Sequence, residues 1–204
     1  MNDNIHLKKY LTKENIHSGA PHKVLDKCKN FDFFIVIPCY NEYDYLFKTL
    51  DSINKQNSLL LEKTLVVIVI NNSVKSNSNI KHNNEKTCDK LIGVNYSFEF
   101  VSIDCFSTET SFKDELAGVG LARKVGMDFS LKFIKDLNSI ICSLDADTII
   151  DENYLDSIYN NFKKNKMNAA VVNFKHQNSS NSIIEEGIRK YELILKEIAE
   201  NIEK

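Results

Sequence analysis

The segment SLDADTII, residues 143–150, determines how the rest of this sequence is interpreted. Residues 139–144 lead into it, and they are few and apolar enough to form a strand buried on both faces. In extended backbone, successive side chains point to opposite faces, so Asp145 and Asp147 share one side while Ala146 takes the other. The small alanine leaves room for a ligand between the two carboxylates.

Two carboxylates at the end of a strand favour a bound cation. Their hard oxygen ligands suit Mg²⁺ or Mn²⁺, and such metals usually complete their coordination shell with substrate phosphates. The segment therefore predicts a divalent metal that holds a phosphorylated substrate. The alternative is a solvated turn that caps the helix expected over residues 151–164. So short a motif often matches by chance. Taken alone, the sequence Asp145-Ala146-Asp147 therefore favours the solvated turn over the metal site.

Size and charge exclude several classes of protein. A chain of 204 residues can bury a good core and is most simply one domain. The net charge of −2, with both signs interspersed, provides no cationic surface for nucleic acid. No apolar run reaches membrane-spanning length, and the first residues lack the apolar core of a signal peptide. The expected location is therefore the cytoplasm or a cytoplasmic membrane surface.

The cysteines predict neither a zinc site nor a disulfide framework. They lie far apart with no CxxC pair, so we expect reduced thiols. We expect Cys142 to lie in the core. The five positions are Cys28, Cys39, Cys88, Cys105 and Cys142.

The first half of the chain predicts two strand-to-helix units. Residues 1–30 are polar and form a loosely packed extension. A strand over residues 31–37 ends at Pro38, and Asn41 caps a helix whose apolar residues fall on one face. A second strand over residues 65–70 ends at Asn71. Such units predict a parallel sheet that gathers ligands at the carboxyl ends of its strands.

The second half continues this alternation. We expect a loop, with at most one helical turn, over residues 71–90. A strand (97–103), a helix (114–134), the strand before Asp145, a helix (151–164) and a strand (169–174) follow. The last helix carries one apolar stripe, formed by Ile184, Ile188, Tyr191, Leu195, Ile198 and Ile202. The glycines at 118, 120 and 126 do not match a dinucleotide-binding pattern. They indicate either a backbone approach to phosphate or a close helix-to-sheet contact.

Four blocks in this order resemble glycosyltransferase family 2, whose fold is GT-A. They are IVIPCYNE (35–42), VIVINNS (67–73), AGVGLARKVGMD (117–128) and the Asp-x-Asp motif SLDADT (143–148), within roughly residues 33–174. The resemblance implies an α/β, Rossmann-like GT-A domain over residues 31–180, with a mostly parallel central sheet flanked by helices. The extension 1–30 precedes it and an amphipathic helix, 181–204, follows it.

The resemblance also implies a function. The chain would transfer a sugar from a nucleotide-diphosphate donor, of the UDP or GDP type, to an acceptor that the sequence does not identify, with Mn²⁺ or Mg²⁺ as cofactor. Tyr40 would stack on the base, the backbone at Pro38 would help to hold it, and Asn41 and Glu42 belong to the same nucleotide-sugar-binding block. Asn71 stands where the family usually has an aspartate that bonds uracil. Because an amide offers one donor and one acceptor, this departure weakens the inference of uracil.

Three further residues receive roles from the resemblance. Arg123 would lie near the diphosphate, although it is equally well explained as a solvated helix charge. Asp145 would contact the ribose or the metal, and Asp147 would be the direct metal ligand. The metal neutralises the diphosphate as the glycosidic bond breaks.

The catalytic base stays unknown. In the family it is a carboxylate well beyond the Asp-x-Asp motif, where this chain has only glutamates with the spacing of a solvated helix face. We therefore expect a truncated or abbreviated enzyme, and a non-catalytic nucleotide-sugar-binding fragment is one alternative. The apolar stripe would pack on its own sheet, form a homodimer through the C-terminal helix, or lead into further chain.

The other alternative is a haloacid-dehalogenase-like phosphatase. There Asp145 would be the phosphoryl nucleophile and Asp147 the acid/base. In that superfamily the motif closes the first core strand, whereas here it closes about the fourth.

Overall fold

The computed structural model describes residues 4–12, 20–22, 25 and 29–202, and it divides into the units Met1–Asn160 and Asn161–Lys204. In chain order the elements are α1 (Asn4–Leu11), β1 (Ala20–Pro21), β2 (Phe33–Cys39), α2 (Tyr43–Asn54), α3 (Ser58–Leu61), β3 (Thr64–Asn71), α4 (Ser78–Gly93), β4 (Glu99–Cys105), α5 (Val119–Ser130), β5 (Ile140–Ser143), α6 (Tyr154–Asn165) and α7 (Ser182–Ile202). Among the helices of these described residues, none is both long and apolar enough to cross a membrane.

One sheet organises the first unit. Its strand order is β1-β4-β3-β2-β5, and the four strands β4, β3, β2 and β5 run parallel. The two-residue β1 pairs antiparallel with β4 at the edge. The predicted α/β class with a mostly parallel central sheet flanked by helices is confirmed.

Both faces of this sheet are buried. Along β2, Phe33, Ile35 and Ile37 pack into a core shared with α2 and α4, while Phe34 and Val36 pack on the other face with α5. All seven residues of β2 and all eight of β3 are buried. This two-sided burial explains why both strands are continuous apolar runs in the sequence.

Gly126 sets the distance between α5 and the sheet. A Cβ atom at this position would lie 3.0 Å from Val69 Cγ2 and closer still to Val36 Cγ1. Close helix-to-sheet contact, rather than backbone approach to phosphate, therefore explains the glycine at position 126. Gly118 and Gly120 have open space where a Cβ atom would stand.

The loop predicted over residues 71–90 is wrong for most of its length, because α4 occupies Ser78–Gly93. The Asn77 side chain caps this helix by accepting a hydrogen bond from Ile80 N at 3.0 Å. The residues that α4 buries are Asn84, Thr87, Cys88 and Leu91. Because only two of these four are apolar, the sequence lacked the apolar period that identifies a helix.

The strand predicted over residues 169–174 is also wrong. The backbone there is irregular, and Val171 is 96% exposed. Its run of β-branched residues favours a strand, but a strand needs a partner, and no strand of the described residues pairs with it.

Within the same unit, α7 carries a polar network: Arg189 binds Glu185 Oε1 at 2.7 Å and Glu192 Oε2 at 2.6 Å.

The described part of the N-terminal extension is fixed to the sheet domain, which differs from the loose packing predicted for it. The β1 pair joins it to β4, and Leu25 is buried. In α1, the Tyr10 hydroxyl donates a hydrogen bond of 2.8 Å to Asp128 on α5, whose carboxylate is buried. These contacts are a short strand pairing, one isolated apolar residue and one polar side-chain bond, so no hydrophobic period in the sequence predicts them.

The four described cysteines are free, as expected, and Cys28 lies outside the described residues. Burial raises the pKa of the Cys39 and Cys105 thiols to about 12. Cys142, which we expected in the core, is only partly buried because β5 is an edge strand.

Candidate functional site

A cavity of ≈ 750 Å³ lies where β2, β3 and β5 end. The chain runs from β2 to β3 to β4 in one direction across the sheet, and β5 then takes the other side of β2. Such a reversal opens a crevice at the carboxyl ends of the strands, where α/β sheets bind ligands. Seven of the eight predicted site residues line the cavity: Pro38, Tyr40, Glu42, Asn71, Arg123, Asp145 and Asp147.

Asn41, the eighth, does not line the cavity but shapes its wall. Its φ angle is 60°, in the left-handed region that asparagine tolerates better than most residues. Its backbone N donates a hydrogen bond of 3.1 Å to Asn84 Oδ1. The turn at Asn41 thus lies between two residues, Tyr40 and Glu42, that do line the cavity.

The two aspartates share the exposed side of their segment. Strand β5 ends at Ser143, and beyond it Leu144 and Ala146 are buried while Asp145 and Asp147 are exposed. Thr148 N donates to Asp145 O at 3.1 Å, so the backbone forms a turn here. The expected sharing of a face is confirmed, although a turn rather than a continuing strand produces it.

Helix α2 holds this turn in place. The Thr49 hydroxyl donates a hydrogen bond of 2.7 Å to the carbonyl oxygen of Ala146, and both residues are buried. Ile150 N in turn donates to the Ser52 hydroxyl at 3.2 Å. These bonds anchor the backbone of the segment, so its two carboxylates project from a fixed base.

Negative charge accumulates beside the aspartates. The pKa of Glu42 is raised above its ordinary value of 4.5, first by burial and then by the charges of Asp147 and Asp145. Within the described part of the chain, no three His, Cys, Asp or Glu side chains are arranged to hold a metal ion.

Arg123 on α5 is the cation of the cavity. Its guanidinium forms an ion pair with Asp145, while its Nε atom is buried without a hydrogen-bond partner. Since a guanidinium has five N–H donors, this side chain can bind a second anion while it stays near Asp145.

Asn71, the last residue of β3, presents an unsatisfied acceptor. Its side chain is almost fully buried, and its Oδ1 atom has no hydrogen-bond partner. Leaving such an acceptor unpaired costs about 1–3 kcal/mol. An N–H group of a ligand in the cavity would remove that cost.

One wall of the cavity contains no residue that was predicted to bind the ligand through its side chain. Ser73, Ser76, Asp114, Ala117, Gly118 and Val119 form it. The Ser73 hydroxyl binds Asp114, and Lys75 lies 2.8 Å from the same carboxylate. Hydrogen bonds from Lys75 and Ser73 lower the pKa of Asp114. Ser73, Ala117, Gly118 and Val119 belong to quoted blocks, but the helix predicted over residues 114–134 begins only at Val119, so Asp114 lies on an irregular segment.

The charges around the cavity are unequal. Among the described residues, four carboxylates line it, those of Glu42, Asp114, Asp145 and Asp147, whereas the nearby cations are Arg123, paired with Asp145, and Lys75, paired with Asp114. A phosphate-bearing ligand would therefore enter an acidic environment. Such a ligand requires an additional cation to bind well.

The chain matches no protein-family model and no curated protein sequence. Among solved structures, it is similar to the crystal structure of S. aureus TarS 1-349, with a TM-score of 0.40, 18% identity, and coverage of 70% of this chain and 38% of that chain. The structures of TarS 1-349 in complex with UDP-GlcNAc and with UDP match with the same TM-score of 0.40, at 18% and 17% identity. They cover 70% of this chain and 37% and 38% of those chains. The chain thus spans less than two fifths of the TarS chains that it matches.

Proposed function

We propose that this chain is a metal-dependent glycosyltransferase that binds a nucleotide-diphosphate sugar, of the UDP or GDP type, in this cavity. The observation that carries the proposal is the buried, unpaired Oδ1 atom of Asn71 in the same cavity as the exposed Tyr40 ring and the Asp145/Asp147 pair. The resemblance of the four sequence blocks to glycosyltransferase family 2 supports it. The acceptor and the catalytic base are not assigned.

Tyr40 and Asn71 would bind the base. The Tyr40 side chain is 46% exposed and offers a ring for stacking. The Oδ1 atom of Asn71 would accept a hydrogen bond from an N–H group of the base, and the amide N–H₂ would donate to a neighbouring carbonyl. Uracil and guanine both present such an N–H beside a carbonyl, so Asn71 is compatible with either.

Asp147, with Asp145, would hold Mn²⁺ or Mg²⁺ between the protein and the diphosphate. The bound ion would neutralise the diphosphate and so stabilise the leaving nucleotide. The excess of carboxylates over cations in the cavity supports this requirement, because it opposes an unaccompanied diphosphate. Arg123 would donate from its guanidinium to phosphate oxygens, in the planar geometry that suits phosphate.

Calorimetry with UDP and GDP, with and without Mn²⁺, tests the proposal on the parent and on Asp147→Ala. We expect binding that requires the metal and that weakens by about tenfold or more in the variant, because the metal loses a charged ligand. Glu152→Ala is the matched control, since Glu152 is an exposed carboxylate five residues further on that does not line the cavity.

Two results would contradict the proposal at different levels. If Asp147→Ala binds as tightly as the parent in the presence of metal, the role of Asp147 is wrong. If the parent binds neither nucleotide, the nucleotide-sugar assignment itself is wrong. Donor turnover with a panel of acceptors then separates a transferase from a binding module, and hydrolysis of simple phosphate esters would indicate the phosphatase alternative.

A further inference from the structure

We propose that Asn84, on α4, is a positioning residue that holds the two base-binding walls of the cavity at a fixed separation. The inference rests on the proposed function, and it concerns a residue that itself does not line the cavity. The two walls are the turn that carries Tyr40 and the end of β3 that carries Asn71. Asn84 connects them directly.

The Asn84 side chain makes three hydrogen bonds to three separate positions. Its Oδ1 accepts from Asn41 N at 3.1 Å, in the turn that follows β2. Its Nδ2 donates at 3.0 Å to the backbone oxygen of Asn71 and at 3.0 Å to Asn72 Oδ1. One carboxamide therefore links the backbone beside Tyr40 to the backbone of Asn71.

These bonds are made in the interior, where they depend on one another. Asn84 and Asn72 are both fully buried. Asn72 extends the connection, because its Nδ2 donates to the backbone oxygens of Ser73 at 3.0 Å and of Phe106 at 3.2 Å. Breaking one bond in such a buried network leaves its partner unsatisfied, so the network favours a single arrangement of the two walls.

The turn at Asn41 needs this support. A φ angle of 60° is uncommon for a residue other than glycine and persists only when surrounding contacts stabilise it. The bond from Asn41 N to Asn84 is such a contact. Without it, the Tyr40 ring would lose its fixed position relative to the Asn71 amide, and a base could not engage both at once.

The neighbouring residue offers a matched control. Asn83 Oδ1 accepts a hydrogen bond of 3.1 Å from Tyr43 N, the first residue of α2. Asn83→Ala thus removes one bond of the same kind from the same helix, between α4 and α2, but leaves the Asn41 and Asn71 backbones in place. Asn84 loses three bonds and Asn83 only one, so the variants are compared by the ratio of nucleotide to pyrophosphate affinity rather than by their stability.

The experiment measures two affinities by calorimetry, one for UDP or GDP with Mn²⁺ and one for pyrophosphate with Mn²⁺. For Asn84→Ala and Asn84→Asp we expect nucleotide affinity to fall by about tenfold or more, because base stacking and base hydrogen bonding no longer occur together. Pyrophosphate affinity should stay within about twofold of the parent, because it needs only Arg123 and the aspartates. Asn83→Ala should change neither affinity by more than about twofold.

Asn84→Asp also provides a pH test in a variant of nearly identical shape. At neutral pH its carboxylate has no donor for the Asn71 and Asn72 oxygens. Acidification protonates a buried carboxyl readily, and the neutral acid again donates one hydrogen bond. We expect part of the lost nucleotide affinity to return between pH 7.5 and about pH 5.5, measured against the parent at each pH. If Asn84→Ala does not fold, this variant carries the test.

The inference is overturned if the Asn84 variants keep the nucleotide affinity of the parent, or if they lose nucleotide and pyrophosphate binding to the same extent. It is also overturned if Asn83→Ala reproduces the selective loss. Failure of the parent to bind UDP and GDP would refute the proposed function itself, and this inference with it.

Discussion

Two polar side chains in the cavity carry free-energy costs that a ligand could relieve. Asn71 has a buried acceptor with no partner, and Glu42 has a carboxyl group whose ionisation is opposed by burial and by two neighbouring aspartates. Costs of this kind are common where a site is prepared for a ligand. They can be measured separately, because one depends on hydrogen bonding and the other on pH.

We expect Asn71→Leu to stabilise the protein while it impairs nucleotide binding. The substitution replaces the amide by an apolar group of similar shape, so the free energy of unfolding should rise by about 1 kcal/mol. Nucleotide affinity with Mn²⁺ should fall by about tenfold or more, because the base loses its hydrogen-bonding partner. Urea unfolding and calorimetry measure the two effects. A less stable variant that binds nucleotide normally would show that Asn71 has a structural role.

Glu42→Gln should make stability less dependent on pH. Because the pKa of Glu42 is raised in the folded state, that state binds more protons than the unfolded chain as pH rises from about 4.5, and stability falls across this range. Glutamine removes that loss. Relative to the parent, we therefore expect the variant to gain stability as pH rises through the raised pKa of Glu42 and to keep the gain at pH 7.

Urea unfolding of both proteins between about pH 4.5 and 7.5 measures this difference. Saturating Mn²⁺ is an internal check, because a cation near the aspartates would reduce the repulsion and thus the advantage of the variant. A constant difference in stability across the pH range would contradict the electrostatic explanation.

Helix α5 shows how one element connects the core to the cavity. Gly126 allows it to approach Val36 and Val69, and Arg123 extends from the same helix into the cavity. Any shift of α5 away from the sheet should therefore move the guanidinium. The packing of the helix and the position of the cation are expected to change together.

We expect Gly126→Ala to reduce stability by roughly 1–3 kcal/mol, because the added methyl group would overlap the two valines. Phosphate affinity should fall with it as Arg123 is displaced. Gly120→Ala is the matched control on the same helix, since no atom lies within 4 Å of its Cβ position, and stability there should be unchanged or slightly higher. Urea unfolding measures both. Because replacing glycine by alanine raises helix propensity, a Gly126→Ala variant as stable as Gly120→Ala would show that the contact with the sheet does not limit this position.

Across the whole molecule, strand order gathers the candidate residues. Tyr40, Asn71 and Asp145 are separated by 31 and 74 positions in the sequence, yet they follow three neighbouring parallel strands and line one cavity. Parallel strands place all their carboxyl ends at one edge, so residues just after each strand meet there. The reversal of strand order at β2 leaves the crevice between them open.

The sequence by itself determined the class of fold and seven of the fourteen described residues that line the cavity. Continuous apolar runs at β2 and β3 indicated strands buried on both faces, and a polar residue directly after each strand indicated the ligand-binding edge. The alternation of buried and exposed residues around Asp145 and Asp147 matches the expectation from a strand, although a turn produces it. All of these are local patterns, so a single sequence contains them.

Only the tertiary structure decided the features that depend on residues distant in the chain. Helix α4 presents polar residues to the interior, and their burial is favourable because Asn41, Asn71 and Asn72 supply hydrogen-bonding partners. The apolar residues 169–174 form no strand because no strand within the described residues pairs with them. The unpaired acceptor of Asn71 and the wall formed by Ser73 and Asp114 arise in the same way. Hydrogen-bond satisfaction and strand pairing are properties of the folded arrangement, which hydrophobic periodicity does not encode.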